Sequence, residues 1–476
     1  MNKEKSLINI SKKTFIQVTA LLLGLLIVSI VLTYFIPAGS FGVNADGSTD
    51  YSVYHTLDGV KGIPVWKGIL APILVFGSSD GVTLIMLSVF LLVISAAFQV
   101  MNDAGGIGAI VSAVSDRFKS RRKLMVALIS LLFMCFGAFL GLFEEMLTML
   151  PIITMLCLAI GYDSFTGFLI CIVSCGFGFA SAVTNPFTVL LASEIIGANP
   201  MDKIWFRIII FIVMYMLLLA FIFLYLRKLG KSPENSLTYE HDLRIKATVN
   251  VRDSVAEKSP SREKKLRVIY GIFLSVSLIL IAVCSSVEAF RSYTVVILIA
   301  YFLIFGLLAG ILCTSSAKTV FKSFLKGLTG ALPTIVFIGL SASIKYVFDE
   351  GHIMPTIANQ INLLTKGKSL FLIVLIIYAI VLVLEFFISS STAKAILVMG
   401  LLSTVSLGLS DRMMVLIYTF ADGYTNVLFP TSPVLLIALS MIGMEYFKWV
   451  KKSLPLFAVN FLLVIGFLAL GIVIGY

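Results

Sequence analysis

Apolar runs of about twenty residues recur along the whole chain, and each is long enough to cross a bilayer as one helix. Hydrophobic residues make up 59% of the 476 positions and charged residues only 13%, whereas soluble domains carry about 25% charged residues. So few charges cannot cover a soluble surface. Runs this long and continuous are typical of helices, which satisfy their own backbone in lipid, and not of barrel strands. The sequence therefore predicts an all-α polytopic membrane protein.

The net charge of +11 comes from Lys and Arg in short loops, as the positive-inside rule describes, and no basic face with interleaved aromatic residues indicates nucleic-acid binding. We therefore expect a multi-pass protein of the cell (inner or plasma) membrane with a cytoplasmic N-terminus and a lipid bilayer around its spans. The basic segments expected in the cytoplasm are residues 1–13, 117–123, 227–266, 318–326 and 448–452.

These loops divide the chain into two halves. The expected parts are a cytoplasmic N-terminus (1–14), a first transmembrane repeat (15–227) with a hairpin at 124–161, a cytoplasmic linker (228–266), and a second transmembrane repeat (267–476) with a hairpin at 369–408. The linker has no long apolar period, so we expect a flexible connector.

Both halves carry the same two marks inside apolar sequence. Glu144 is followed by Thr184-Asn185-Pro186, and Glu385 is followed by Thr425-Asn426, with 241 positions between corresponding residues. Proline removes a backbone donor, so a helix break is expected at Pro186. The repeated carboxylate and the repeated polar break indicate a duplicated unit.

The break in the first hairpin leaves a short second arm. The apolar run after Glu145, residues 146–160, has only 15 residues, which is short for a span, so we expect a re-entrant hairpin. The extra crossing at 267–287 places the two copies in opposite orientations. Inverted repeats, each with a re-entrant hairpin and a broken transmembrane helix, are typical of secondary transporters.

Four acids are expected at membrane depth, where an ionised carboxylate costs about 2.5–3.5 kcal/mol. They are Glu144, Glu145, Glu385 and Asp422, and Lys394 is the main cation near them. The acid surplus predicts that a cation, a proton or a substrate ammonium occupies the site. The alternatives are an ordinary outer loop at Glu144-Glu145 and a structural pair between Glu385 and Lys394.

The polar breaks supply the other candidate substrate-binding residues. The run Ser389-Ser390-Ser391-Thr392 begins a helix, whose free N–H groups favour a carboxylate, or its hydroxyl groups only cap that helix. Asn185 and Asn426, each beside a threonine (Thr184 and Thr425), offer donors and acceptors to a ligand or satisfy the opened backbone.

No other chemistry is indicated. The six cysteines lie in apolar segments away from the three histidines, so we expect no metal site and no cofactor. Asp163 and Asp411 precede helices and are expected to be surface N-caps.

Three motifs carry a resemblance to a known group: Phe143-Glu144-Glu145-Met146, Ala182-Val183-Thr184-Asn185-Pro186, and Tyr424-Thr425-Asn426 with Pro430-Thr431-Ser432-Pro433. With them, nearly the whole chain resembles the YfcC/DcuC-type carriers of the ion transporter superfamily. The resemblance implies two re-entrant hairpins, a midplane site and often a homodimer with a scaffold and a moving transport domain. It also implies C4-dicarboxylates, other small carboxylates or basic amino acids, in arginine/ornithine exchange, as substrates.

One departure from the pattern bears on the substrate. Dicarboxylate/sodium relatives carry Ser-Asn-Thr at their hairpin tips, whereas this chain has Phe143-Glu144-Glu145 and Ser389-Ser390-Ser391-Thr392. A symmetric dianion fits this asymmetric, acidic site less well than an amino acid does.

The prediction is a secondary active transporter of small amino acids, working by alternating access, with arginine/ornithine exchange as the best assignment. The acids would hold ammonium or guanidinium groups, and the helix start at Ser390–Thr392 would hold the α-carboxylate. The alternative is a sodium- or proton-coupled carrier of C4-dicarboxylates or other small carboxylates, in which the acids serve Na+ or H+. Two broken copies argue against a channel, and the lack of a nucleophile–base pair argues against an enzyme.

Overall fold

The computed structural model describes residues 12–44, 49–118, 120–246, 260–291, 293–365, 367–388, 391–404 and 408–476. Helices dominate these residues, and eight of the described helices are long and apolar enough to cross a membrane. The predicted all-α polytopic class is confirmed. One small addition is an antiparallel hairpin of strands β1 (Gly39–Val43) and β2 (Thr49–Thr56), which lies between the first two helices.

The first half contains ten helices in the described residues. They are α1 Lys12–Phe35, α2 Val65–Leu74, α3 Gly81–Ala104, α4 Gly106–Phe118, α5 Arg122–Cys135, α6 Met146–Ala159, α7 Ser164–Phe168, α8 Ser174–Ala180, α9 Leu191–Ile196 and α10 Ile204–Leu229. Three π-helical turns extend or join them, at Phe136–Leu140, Leu169–Val173 and Pro186–Leu190. Such turns are frequent at functional sites because they leave backbone groups without regular partners.

The linker and the second half contain the remaining described helices. They are α11 (residues 239–246), α12 Pro260–Ser286, α13 Glu288–Arg291, α14 Thr294–Thr314, α15 Ala317–Glu350, α16 Met354–Thr365, α17 Leu370–Phe387, α18 Ser391–Thr404, α19 Asp411–Thr425, α20 Pro433–Met441 and α21 Tyr446–Val473.

The same order of elements occurs in both halves. A long helix (α3 or α15) and a short one (α4 or α16) precede two hairpin arms, an interrupted helix and a final long helix. The second arms, α6 and α18, each have 14 residues. At 1.5 Å per residue each arm is about 21 Å long, shorter than the roughly 30 Å hydrocarbon core. This length fits re-entrant arms, while the opposite orientation of the copies stays a prediction.

The two interrupted helices cross at a very close backbone contact. A Cβ atom built on Gly423 of α19 would lie 1.9 Å from the Cα of Ala180 in α8. A Cβ on Gly178 would lie 1.9 Å from the carbonyl oxygen of Met134 in the first hairpin. Small residues permit such approaches between membrane helices. Glycine therefore joins α5, α8 and α19 into one packed unit.

The linker differs from the flexible connector that the sequence predicts. Within residues 228–246, Thr238 and Asp242 are buried. Asp242 Oδ2 accepts hydrogen bonds from Thr238 Oγ1 at 2.8 Å and from the backbone N–H of Ser164 at 3.1 Å. Burial raises the pKa of Asp242. This part of the linker is docked on the first interrupted helix, and residues 247–259 lie outside the described residues.

Asp163 also differs from its expected place on the surface. Its Oδ1 caps α7 by accepting from the backbone N–H of Thr166 at 2.9 Å, as predicted, but only 3% of the residue is exposed. Its Oδ2 accepts from the hydroxyl groups of Tyr225 and Ser236. The helix cap is thus also the point to which the linker is bound. At the other predicted cap, Ser410 caps α19 and Asp411 lies in the first turn.

Candidate functional site

A cavity of about 490 Å³ lies between the two hairpin tips, the end of α19 and the helices α3 and α15. Phenylalanine rings and several charged side chains form its wall. The charged side chains that line it are Asp80, Glu144, Glu145, Lys345, Glu385 and Lys394. Four carboxylates and two ammonium groups leave a negative excess in the cavity wall.

The first hairpin tip supplies two adjacent carboxylates to this cavity. The chain turns at Gly141, whose φ of +68° is a left-handed conformation that glycine adopts without strain. Glu144 is exposed to the cavity, whereas Glu145 is 8% exposed. Glu145 Oε2 has no hydrogen-bond partner among the described residues. A buried carboxylate oxygen atom without a partner calls for a cation or a proton.

The second hairpin tip carries an internal counter-ion. Lys394 contacts Glu385 Oε2, and its Nζ lies 2.5 Å from Asp422 Oδ1. All three side chains are at most 1% exposed. The pairing of Glu385 with Lys394, one of two alternatives that the sequence left open, is present in the structure. Lys394 therefore already compensates part of the charge that the sequence assigns to a substrate.

Thr425 and Asn426 join this cluster to the break after α19. Thr425 Oγ1 lies 3.4 Å from Glu385 Oε2 and 2.8 Å from the carbonyl oxygen of Asp422. Asn426 Nδ2 donates to the same carbonyl oxygen at 3.0 Å. Both residues also line the cavity, so they can contact a ligand as well as the opened backbone.

Thr184 and Asn185 are not among the described residues that line the cavity. Asn185 Nδ2 donates to the carbonyl oxygen of Gly137 at 3.1 Å, and its Oδ1 accepts from the N–H of Phe187 at 2.9 Å. Thr184 Oγ1 donates to the carbonyl oxygen of Phe139 at 3.4 Å. In the first copy the polar pair thus satisfies the backbone and joins the interrupted helix to the hairpin arm.

The structure describes only part of the serine run at the second tip. Ser389 and Ser390 lie outside the described residues, as do the side chains of Ser391 and Thr392. The backbone of α18 begins at Ser391, and Lys394 lies in its first turn. Binding of a carboxylate at this helix start stays a prediction.

The sequence reading missed a second charged cluster on the cavity wall. Lys345 of α15 pairs with Asp80, and its Nζ lies 3.5 Å from Asp349 Oδ2. Ser341, one turn earlier on α15, donates to the carbonyl oxygen of Thr431. The only sequence signal was the position of Asp80 and Lys345 at the ends of apolar runs. Among the described residues, no group of three or more His, Cys, Asp or Glu is arranged to hold a metal ion.

The sequence matches the family described as C4-dicarboxylate anaerobic carrier (DcuC) over residues 15–473. The chain belongs to this family. It is therefore a secondary transporter, a membrane carrier that moves a small molecule across the lipid bilayer.

Two curated relatives are each 25% identical to the chain. One, named "Putative basic amino acid antiporter YfcC", from Escherichia coli, matches over 81% of this chain and 77% of the relative. The other, an uncharacterized protein of Haemophilus influenzae, matches over 96% of both. Among solved structures, the Alcanivorax borkumensis YdaH transporter is similar at 14% identity with a TM-score of 0.44, over 96% of this chain and 99% of that one.

Proposed function

We propose that this carrier exchanges basic amino acids, of the arginine/ornithine type, across the cell membrane. The observation that carries the proposal is the acid excess of the cavity wall, with Glu144 and Glu145 in no ion pair among the described residues. A cationic side chain near these carboxylates would compensate their charge, because opposite charges attract strongly where water is excluded.

The two tips offer different chemistry to the two ends of an amino acid. The first tip offers carboxylates from Glu144 and Glu145, which suit an ammonium or guanidinium group. The second tip offers the N-terminal end of α18, where free backbone N–H groups favour a carboxylate. Asn426 and Thr425, between them, can bind the α-amino group or the carboxylate.

Exchange follows from the cost of an empty site. Without a cation, two carboxylates of the first tip would have to pass through the occluded state uncompensated. A second cationic substrate removes this cost on the return step, so the return of an empty carrier is expected to be slow.

The family description favours a second candidate, a carrier of C4-dicarboxylates. Such a carrier, or one of other small carboxylates, would be coupled to Na+ or H+. In that case the coupling cation or proton, and not the substrate, would compensate Glu144 and Glu145. The name of the Escherichia coli relative supports the basic amino acid assignment instead.

Location and assembly belong to the same proposal. The basic segments support a cytoplasmic N-terminus, which the accessibility of a single cysteine placed at position 2 in intact cells would test. The resemblance to dimeric carriers suggests a homodimer, and light scattering of the detergent-solubilised protein would reveal a monomer instead.

Counterflow decides between the two substrate classes. Proteoliposomes loaded with ornithine should take up labelled arginine without any ion gradient, and empty proteoliposomes should not. Uptake of succinate that needs a Na+ or H+ gradient and no internal substrate would establish the second candidate. Absence of arginine counterflow in vesicles that contain correctly folded protein would overturn the proposal.

The matched control is a second acid on the same half of the chain. Glu144→Gln should abolish or strongly reduce counterflow. Glu194→Gln, which changes an exposed acid of α9 that is not among the cavity-lining residues, should leave it near the wild-type rate.

A further inference from the structure

Three buried charges meet where the second hairpin and the second interrupted helix are broken. The ammonium group of Lys394 lies between Glu385 Oε2 and Asp422 Oδ1, at 2.5 Å from the latter. Glu385 Oε1 has no hydrogen-bond partner among the described residues. The cluster is thus an oxygen-rich position with a cation at its centre, and that cation belongs to the protein.

The helix ends explain why a cation belongs at this position. Glu385 lies in the last turn of α17, and Asp422 lies in the last turn of α19. The C-terminal ends of helices carry partial negative charge, and in many transporters such half-helix ends coordinate the coupling Na+ or H+. Two such ends and two carboxylates converge on the ammonium group of Lys394.

The position of Lys394 on its own helix is unfavourable for a positive charge. It lies in the first turn of α18, where the partial positive charge of the helix N-terminus disfavours a cation. The ammonium group of Lys394 is therefore stabilised by the two acids and not by the helix that carries it. A mobile cation could satisfy the same oxygen atoms if the lysine were absent.

The first copy has no equivalent lysine. Counted from the start of the second arm, Met149 of α6 occupies the position that Lys394 occupies in α18. Glu144 and Glu145 therefore receive no cation from their own second arm. The two tips therefore differ: the first leaves room for a mobile cation, and the second carries a fixed one.

We propose that Lys394 is a tethered cation that occupies the position of a coupling ion, so that this carrier needs no Na+ at its second hairpin. The lysine keeps the acids of the second tip compensated in every state of the cycle. This inference does not depend on which substrate the first tip binds, because it concerns the second tip alone.

Binding of Na+ without substrate tests the proposal directly. The background is the Glu144→Gln/Glu145→Gln variant, which removes the acids of the first tip, so that any response to Na+ comes from the second tip. The melting temperature of this purified variant should be the same in sodium chloride and in choline chloride. In this background, Lys394→Met should create a Na+ site, because it removes the ammonium group and leaves two buried carboxylates. At alkaline pH, where protons compete least, Na+ should raise its melting temperature by several degrees through mass action.

Lys345→Met in the same background is the matched control. Lys345 also contacts two carboxylates, but the side chains of Asp80 and Asp349 are 37% and 47% exposed. Water can solvate these carboxylates once the lysine is gone, so no Na+ response is expected from this variant.

Two results would overturn the proposal. One is a Glu144→Gln/Glu145→Gln variant whose melting temperature rises in Na+, and the other is a folded Lys394→Met variant in the same background with no response to Na+. The variant is purified in Na+ throughout, and Na+ is then removed, so that instability without the ion is itself a supporting result. If no folded Lys394→Met variant is obtained even in Na+, the comparison of sodium chloride with choline chloride in the Glu144→Gln/Glu145→Gln variant decides.

Discussion

Thr425 Oγ1 lies 3.4 Å from Glu385 Oε2, and this contact joins two residues that are 40 positions apart in the chain. Both residues line the cavity, so in the proposed site the threonine would help to fix the orientation of a carboxylate in the wall. Thr425→Val keeps the shape of the side chain and removes the donor. We expect the apparent affinity for substrate to fall about fivefold, which corresponds to about 1 kcal/mol for one hydrogen bond.

The comparison for this variant is Thr184→Val in the first copy. Thr184 donates to the carbonyl oxygen of Phe139 and does not line the cavity, so its loss should leave the affinity unchanged. Concentration dependence of counterflow in proteoliposomes measures both variants. Equal effects at the two positions would contradict the assignment of only the second Thr-Asn pair to the site.

The charge of Glu144 can be separated from its shape by a pair of substrates. Citrulline has nearly the shape of arginine but carries no positive charge on its side chain. Glu144→Gln should lower arginine transport by about tenfold to a hundredfold, the range expected for loss of one charged contact of about 1.5–3 kcal/mol. It should also raise the ratio of citrulline to arginine transport.

Competition by unlabelled citrulline against labelled arginine measures this change of preference. Glu194→Gln provides the control, because Glu194 is exposed and is not among the cavity-lining residues. An unchanged citrulline-to-arginine ratio in Glu144→Gln would show that the first tip does not bind the guanidinium group.

The fold follows from patterns that act over short distances in the sequence. Apolar runs of spanning length specify helices, and breaks such as Gly141–Glu145 interrupt them, because both effects depend on neighbouring residues alone. The roles of Asn185 and Asn426 needed the structure, since an amide can bind a ligand or the backbone equally well. Pro186 was a usable signal, because an Asn directly before a proline at the first helical position is typical of a helix cap.

Charged partners that are close in the sequence can be predicted from it, whereas distant partners cannot. Lys394 follows Glu385 by nine positions across one break, so the sequence could offer their pairing as an alternative. Lys345 and Asp80 are 265 positions apart, and their contact exists only because α3 packs against α15. No local pattern predicts such a contact, so this part of the cavity wall cannot be predicted without the tertiary structure.

Asp163 should hold the first part of the linker in place. Asp163→Ala removes the cap of α7 and leaves the hydroxyl groups of Tyr225 and Ser236 without their acceptor. We expect a loss of about 2–4 kcal/mol in local stability, from a lost helix cap and a buried hydroxyl group without a partner. Hydrogen–deuterium exchange of residues 236–246 should become clearly faster.

Asp411→Ala is the control for this change. Asp411 is exposed, and Ser410 provides the cap of α19, so its effect should stay below about 0.5 kcal/mol. If exchange in residues 236–246 is equally slow in Asp163→Ala and in the wild-type protein, the linker is held by other contacts.

The crossing of the two interrupted helices should tolerate no side chain at Gly423. Gly423→Ala would place a Cβ 1.9 Å from the Cα of Ala180, so α8 and α19 must move apart. Overpacking of this kind costs about 1–3 kcal/mol, and we expect a lower melting temperature together with reduced transport. Gly466→Ala in α21 is the matched change, because a Cβ there would have no atom within 4 Å, and the higher helix propensity of alanine should stabilise the protein slightly. Thermal unfolding of the two purified variants in the same detergent compares them, and a Gly423→Ala variant as stable as Gly466→Ala would show that the helices do not cross at this residue.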